Sequence, residues 1–268
     1  MKALLSFAAA ALICASAIAQ PKVVGHRACR FNTPDKPDTP LYENTLAALK
    51  FAQGLGIYAA EFDVQLTADN KPIVFHGPVI PGIKKDIHTV SFKEAREVKL
   101  PGGHRMPTLE EWFKQARKHP ETKIICEFKK QPTPENETSL IEQTIAVVRK
   151  MKMQGQIEYT TFSEWACQEI KRVDPAAKVL FLEGGVFIHT PEYVKEKGWD
   201  GISYDLNGLL NHPDYVARAR ALGIETTLWV VNDWQVVNWA LLNGIDYVSS
   251  DHPEKIKAYL DGIASSGK

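Results

Sequence analysis

Apolar residues in this chain alternate between two periods from residue 22 to residue 260. Short runs rich in Val, Ile, Leu and aromatic residues predict strands over 22–27, 58–64, 123–129, 157–162, 178–182, 201–204, 226–231 and 247–250. Apolar residues three or four apart predict helices over 43–55, from 107 onward, and over 136–153, 164–173, 191–197, 213–222, 234–242 and 253–260. Strand–helix alternation of this kind implies a parallel sheet with helical crossovers. Eight units in roughly 250 residues imply that the sheet closes on itself. The predicted fold is α/β, a single (β/α)8 TIM barrel with its active site at the C-terminal ends of the strands. An open doubly wound sheet is the alternative, but the chain carries neither a GxGxxG nor a Walker loop. No second domain and no repeat of 20–50 residues is visible.

The N-terminus reads differently from the rest. Met1-Lys2 is a short positive start, 3–18 is apolar, and Ala17-Ile18-Ala19 is an A-x-A cleavage site. This predicts a secretory signal peptide over 1–19 and one domain over 20–268. The expected location is therefore export, to a periplasm or the cell exterior, after cleavage near Ala19. No later stretch is long and apolar enough to span a bilayer, so no stable membrane insertion is expected. No contiguous stretch reads as a membrane-facing patch either. Cys14 leaves with the signal, and Cys29, Cys126 and Cys167 remain; an odd number leaves at least one unpaired. Cys126 reads as a small core residue, Cys29 as structural, with its disulfide state left open. Lys+Arg and Asp+Glu are both 32, so there is no global steering toward nucleic acid, and any anion recognition must be local.

The chemistry gathers at one hairpin. Glu61 and Asp63 are two apart in an apolar strand, so their carboxylates leave the same side of it. Buried together they repel, unless a hard divalent cation with oxygen ligands lies between them. The chain turns at 67–72 and returns through Ile73-Val74-Phe75 to His76, bringing an imidazole near the carboxylates. The plainer reading is a surface hairpin with ordinary charges. Against it stands the placement of other polar residues. His26-Arg27, Glu127 with Lys129, Trp229 with Asn232, and Ser250-Asp251 all fall at predicted C-terminal strand ends, where barrel sites form. Glu61, Asp63 and Glu127 offer three oxygen ligands to one divalent cation, Ca²⁺ or Mg²⁺. Arg27 and Lys129 are cations suited to an anion. His26 and His76 are proton-transfer candidates. Together these describe phosphodiester hydrolysis. The other histidines, His88, His104, His119, His189, His212 and His252, read as ordinary solvated or core residues. Trp229 reads equally as barrel packing or a substrate-lining ring, and Glu43 and Asn232 have the residue types of a first-turn acid and a helix cap.

In order along the mature chain come His26-Arg27, Glu43-Asn44-Thr45, Glu61-Phe62-Asp63, His76, Pro107-Thr108-Leu109-Glu110-Glu111, Glu127-Phe128-Lys129, Trp229-Val230-Val231-Asn232 and Ser250-Asp251-His252-Pro253. This series resembles the glycerophosphodiester phosphodiesterase family, a TIM-barrel branch of the phosphatidylinositol-specific phospholipase C-like enzymes. The resemblance implies metal ligation by Glu61, Asp63 and Glu127, acid–base roles for His26 and His76, and phosphate contacts from Arg27 and Lys129. It also implies a small-molecule glycerophosphodiester as partner, cleaved to sn-glycerol 3-phosphate and an alcohol. Two positions depart from the pattern: Ala28 stands where the family has Gly, and Gly77 where it has Asp. The stretch from 77 to 106 is too short for the large insertion some members carry. The alternatives are a lysophospholipase D-like phosphodiesterase and a non-catalytic phosphodiester-binding barrel. The oligomeric state is not readable.

Overall fold

The computed structural model describes residues 19–29 and 41–266. The signal-peptide reading over 1–19 lies outside the described residues except for Ala19, and the proline-rich segment over 30–40 lies outside them too. The chain enters with β1 (Lys22–Gly25), whose backbone pairing carries on through the His26 N–H to the Ser250 carbonyl at 2.8 Å. Helix α1 (Leu46–Gly54) is capped by the Thr45 side chain, so it starts after Glu43, which is not a first-turn acid. Strand β2 (Ala59–Leu66) is buried throughout. It turns back as β3 (Pro72–Val74), antiparallel, with Val64 opposite Val74. A small annex follows: the two-residue strands β4 (Val79–Ile80) and β5 (Lys85–Asp86), then α2 (Phe92–Glu97). It has its own apolar cluster, including Ile73, Phe75, Ile80, Ile87 and Leu100. Helix α3 (Leu109–Ala116) opens on a capping box of Thr108 and Glu111.

From there the alternation is regular. It runs β6 (Lys123–Phe128), α4 (Pro134–Lys150), β7 (Ile157–Thr161), α5 (Glu164–Val173), β8 (Val179–Glu183) and α6 (Pro191–Glu196). It continues through β9 (Gly201–Asp205), α7 (Leu206–Asn211), α8 (Tyr215–Ala221), β10 (Glu225–Trp229), α9 (Trp234–Asn243), β11 (Tyr247–Ser250) and α10 (Pro253–Ser266). Eight strands are parallel, and β1 pairs with both β11 and β2, so the barrel closes. Helix α7 is a turn of structure that periodicity did not predict. Asp205 caps it by accepting from the Gly208 N–H.

Two cores result from strand alternation. The outward faces of the strands bury Phe62, Cys126, Phe128, Phe181 and Leu228 under the helices. Phe62 stacks on Trp112 of α3 at 4.8 Å, and each such fully buried side chain contributes about 1.5–3 kcal/mol. The three described cysteines are buried and free, as expected for small core residues in the case of Cys126. The inward faces differ from a usual barrel filling of bulky branched side chains. Val24, Ile125 and Leu180 share the interior with the smaller Thr160, Ser203, Thr227 and Ser249, which leaves a cavity of about 280 Å³. Its floor includes Glu158 and Tyr247. There Tyr58 donates to Glu158 at 2.5 Å, Lys178 pairs with Glu158 at 3.2 Å, and the Tyr58 and Tyr247 rings lie 4.7 Å apart.

Candidate active site

The upper end of that cavity is lined by His26, Arg27, Glu61, His76, Glu127, Lys129, Trp229 and Asp251. Parallel pairing of β2 with β6 sets Asp63 beside Glu127, and the two-residue period puts Glu61 on the same inward face. One oxygen from each of Glu61, Asp63 and Glu127 lies within 4.8 Å of the others. Glu61 Oε1 and Asp63 Oδ1 are buried without a hydrogen-bond partner. Native structures rarely leave buried charged oxygens unsatisfied, and a hard cation with oxygen ligands satisfies both. The donor set fits one divalent ion. Burial, followed by the charges of Asp63 and Glu127, pushes the Glu61 carboxyl well above the usual range. For Asp63, burial acts the same way, but Lys129, His76 and Arg27 outweigh it and hold this carboxyl low.

The loop after β1 delivers two of these groups through an unusual backbone. Arg27 and Ala28 both have positive φ, 52° and 66°. This turns the Arg27 N–H onto Glu61 Oε2 at 2.6 Å and the Ala28 N–H onto the Glu61 carbonyl at 2.6 Å. Left-handed backbone costs a non-glycine residue about 1–2 kcal/mol, which accounts for glycine in the family pattern where this chain has Ala28. Gly25 is obligatory for a different reason: a Cβ there would lie 2.0 Å from the Ala28 carbonyl oxygen.

Arg27 is the hub of the cations. Its Nη1 donates to both oxygens of Glu43 at 3.0 Å, and its Nη2 meets His76 Nε2 at 2.8 Å. A guanidinium only donates, so His76 Nε2 is the acceptor in this arrangement and its proton is on Nδ1. Burial, with help from the Lys129 and Arg27 charges, lowers the His76 pKa to about 4. Lys129 lies 2.7 Å from Glu127 Oε1 and 3.6 Å from Asp63 Oδ1, on the inner side as its alternation with Glu127 predicts. Gly77 has φ 58°, and a Cβ there would fall 2.3 Å from the Gln65 amide nitrogen, which donates to the His76 carbonyl. Gln65 thus occupies the space that a side chain at position 77 of this protein would need.

Two further residues complete the site: Asp251, which the sequence places at the end of the last strand without a role, and Asn44, which it shows only within the Glu43-Asn44-Thr45 motif. Asp251 Oδ1 meets His26 Nδ1 at 2.7 Å. Asn44, itself at φ 55°, grips Asp63 twice, through Nδ2 to Oδ2 at 2.7 Å and through Oδ1 from the Asp63 N–H at 3.0 Å. Asn232 is not the cap of α9; Asp233 is. Asn232 instead holds Asp251, donating to Oδ2 at 2.8 Å and accepting from its N–H at 2.9 Å. Trp229 lines the cavity and packs edge-on against Phe162 at 5.6 Å, while its Nε1 donates to the Ser203 carbonyl.

Residues 26–255 match the family model of the glycerophosphoryl diester phosphodiesterase family. The chain belongs to this family. The phosphodiesterase is 22% identical, over 87% of its own length and 95% of the relative's, to a glycerophosphodiester phosphodiesterase of Caldanaerobacter subterraneus. Among solved structures it resembles a glycerophosphodiester phosphodiesterase of Parabacteroides distasonis, with TM-score 0.83 and 31% identity over 91% of this chain and 98% of that one. It shares the fold of an Oleispira antarctica phosphodiesterase in complex with its product sn-glycerol-3-phosphate, with TM-score 0.75 and 21% identity, over 90% of this chain and 97% of that one. The chain is thus an enzyme of a family that hydrolyses glycerophosphodiesters and uses a divalent metal.

Proposed function

We propose that this phosphodiesterase cleaves glycerophosphodiesters to sn-glycerol 3-phosphate and an alcohol, with one Ca²⁺ or Mg²⁺ held by Glu61, Asp63 and Glu127. The observation that carries this reading is the buried carboxylate triad, with two oxygens that no hydrogen bond satisfies, at the mouth of a cavity that also holds both histidines and both cations. The product bound to the Oleispira antarctica protein supports the same product here. A bound divalent ion supplies charge neutralisation at the phosphoryl oxygens. Arg27 and Lys129 add fixed positive charge to the same place, Arg27 as a fork and Lys129 as a point charge.

His26 is suited to the base role. Asp251 accepts from Nδ1, which leaves Nε2 as the proton acceptor and stabilises the imidazolium that forms. His76 is suited to protonate the leaving alkoxide. Burial first, and then the Lys129 and Arg27 charges, disfavour its charged form in the free protein, and a phosphodiester anion bound between the two cations offsets the charge part of that effect. Such transfers contribute about 10²–10⁴-fold each. The nucleophile is water or the glycerol 2-hydroxyl, and detection of a cyclic glycerol phosphate during turnover separates the two. The N-terminal sequence supports export with cleavage near Ala19, checked by N-terminal sequencing of the exported protein.

The test is release of glycerol 3-phosphate from glycerophosphocholine and glycerophosphoethanolamine, with EDTA and then with Ca²⁺ or Mg²⁺ restored. Loss with EDTA and recovery with one ion supports the assignment and identifies the metal. Absence of release with either ion overturns it.

A further inference from the structure

Hydroxyls on the barrel strands are partnered in most places. Thr161 donates to the Phe128 carbonyl at 2.8 Å, Thr226 to Asp246 at 2.8 Å, and Ser250 to Asn232 at 3.1 Å. On the inward face, Thr160 donates to the Leu180 carbonyl at 2.9 Å. Three other inward hydroxyls differ. No described residue hydrogen-bonds the hydroxyl of Ser203, Thr227 or Ser249, which lie on the neighbouring strands β9, β10 and β11. Their exposures are only 5%, 8% and 6%, and all three line the cavity beneath the triad. A buried hydroxyl without a partner is costly, and three on adjoining strands form a surface built for the hydroxyls of a ligand.

Ser203 is the direct neighbour of Thr227 in the β9–β10 register, and Ser249 is the next inward position after Tyr247, which pairs with Thr227. Thr227 and Ser249 stand two residues below Trp229 and Asp251 at the mouth, about 6.5–7 Å along the strand. A three-carbon arm attached to a phosphate at the triad reaches that depth. The rest of this level is apolar. Ile125 lies on β6, opposite β10 in the closed ring, and Val24 and Leu180 lie on the strands flanking the three. Charge is confined to the two ends. The triad and its cations are above; at the floor Glu158 is engaged by Tyr58 and Lys178, and Lys178 also pairs with Glu225. A cationic head group finds no carboxylate at the depth of the hydroxyls. An uncharged arm bearing several hydroxyls matches both walls, because each of its O–H groups can donate or accept and its C–H surface meets the apolar side.

We propose that the barrel interior beneath the triad is a subsite for an uncharged polyol arm of the phosphodiester, and that Ser203, Thr227 and Ser249 hydrogen-bond its hydroxyls. This rests on the phosphodiesterase reading of the site and names residues that set its specificity. The arm is either the glycerol half or a polyhydroxylated alcohol, which present the same chemistry to the three side chains. A site that hydrogen-bonds a substrate hydroxyl discriminates against a substrate that lacks it, because its own buried groups are then left unpaired.

The test measures binding apart from turnover. Calorimetry on the full mature chain carrying H26A, with divalent metal, compares glycerophosphoglycerol, glycerophosphocholine and dimethyl phosphate. The same ligands are then titrated into this chain with T227V or S249A added, each of which removes one hydroxyl with little change of volume; thermal melts check that both fold. The expected result is that each added substitution weakens glycerophosphoglycerol about five- to tenfold and leaves dimethyl phosphate unchanged. A loss shared by glycerophosphocholine places the glycerol half in the barrel, and a loss confined to glycerophosphoglycerol places the alcohol there. Unchanged affinity for both polyol ligands, no detectable binding of either, or an equal loss for dimethyl phosphate overturns the proposal. If the chain with His26 intact releases no glycerol 3-phosphate while the selective loss of binding stands, the phosphodiesterase reading falls and the polyol subsite remains.

Discussion

Replacing Asp251 with Asn changes one atom's chemistry and tests how His26 works. Asp251 and His26 are 11% and 16% exposed, so their contact at 2.7 Å is little screened. Two unit charges whose centres are about 4 Å apart attract by about 4 kcal/mol at an effective dielectric near 20. That energy stabilises the imidazolium only after His26 has taken its proton, so it bears on kcat. The amide also reverses a hydrogen bond. Asn232 Nδ2 now donates to Asp251 Oδ2, so an Asn oxygen kept on that partner turns the new NH2 toward His26 Nδ1. Nδ1 must then accept, the ring proton moves to Nε2, and the base is lost. About 4 kcal/mol is about three orders of magnitude in rate. D251N is expected to lower kcat on glycerophosphocholine by about 10²–10³-fold at saturating metal. Metal affinity by calorimetry and the circular dichroism melt should stay near wild type, and D251E should recover part of the rate. A kcat within threefold of wild type would refute the claim that Asp251 acts through His26.

Three other outcomes follow from the same geometry. Burial, with the charges of Asp63 and Glu127, raises the Glu61 carboxyl in the free protein, so a metal ion competes there with a proton; metal affinity should rise with pH, and calorimetry in buffers of different ionisation enthalpy should detect proton release, which E61Q should abolish along with tight binding. In EDTA the His76 ring should stay neutral until pH nears 4, a depressed value, so the protein should lose stability as pH falls from the ordinary histidine pKa toward 4, where only the unfolded chain takes up that proton; NMR of the ring protons, set against H76Q, checks both. Gly25→Ala puts a Cβ 2.0 Å from the Ala28 carbonyl and should displace the His26-Arg27 turn, costing about 1–3 kcal/mol by urea denaturation and most of the activity; a variant with wild-type melt and rate would contradict the close approach.

The barrel was legible because its strands and helices each repeat a local period, and local periods survive in a linear sequence. The Glu61–Asp63 pair was legible for the same reason, since two residues apart on a strand means one face. What escaped depends on contacts between distant segments. Asn232 looks like a cap by type and neighbourhood, yet the next residue caps α9 and Asn232 reaches Asp251, on the following strand. Glu43 precedes a helix in sequence but its carboxylate faces Arg27. The sequence shows Asn44 only inside a motif and Asp251 only as a polar residue at a strand end; neither role is visible there, because the roles are hydrogen bonds across 19 and 225 positions. Helix α7 is six residues long, too short to show a period. The space opposite Gly77 is filled by Gln65, which no reading of residues 76 and 77 alone reveals.

The floor of the cavity, where Tyr58, Glu158, Lys178 and Tyr247 join by a hydrogen bond, an ion pair and a ring contact, lies at the N-terminal ends of the strands, away from the triad. Between floor and triad the interior is kept open by the small side chains of Thr160, Ser203, Thr227 and Ser249. Enlarging any one of them takes volume from the cavity without touching the carboxylates above, so room and charge in this barrel are set by different residues.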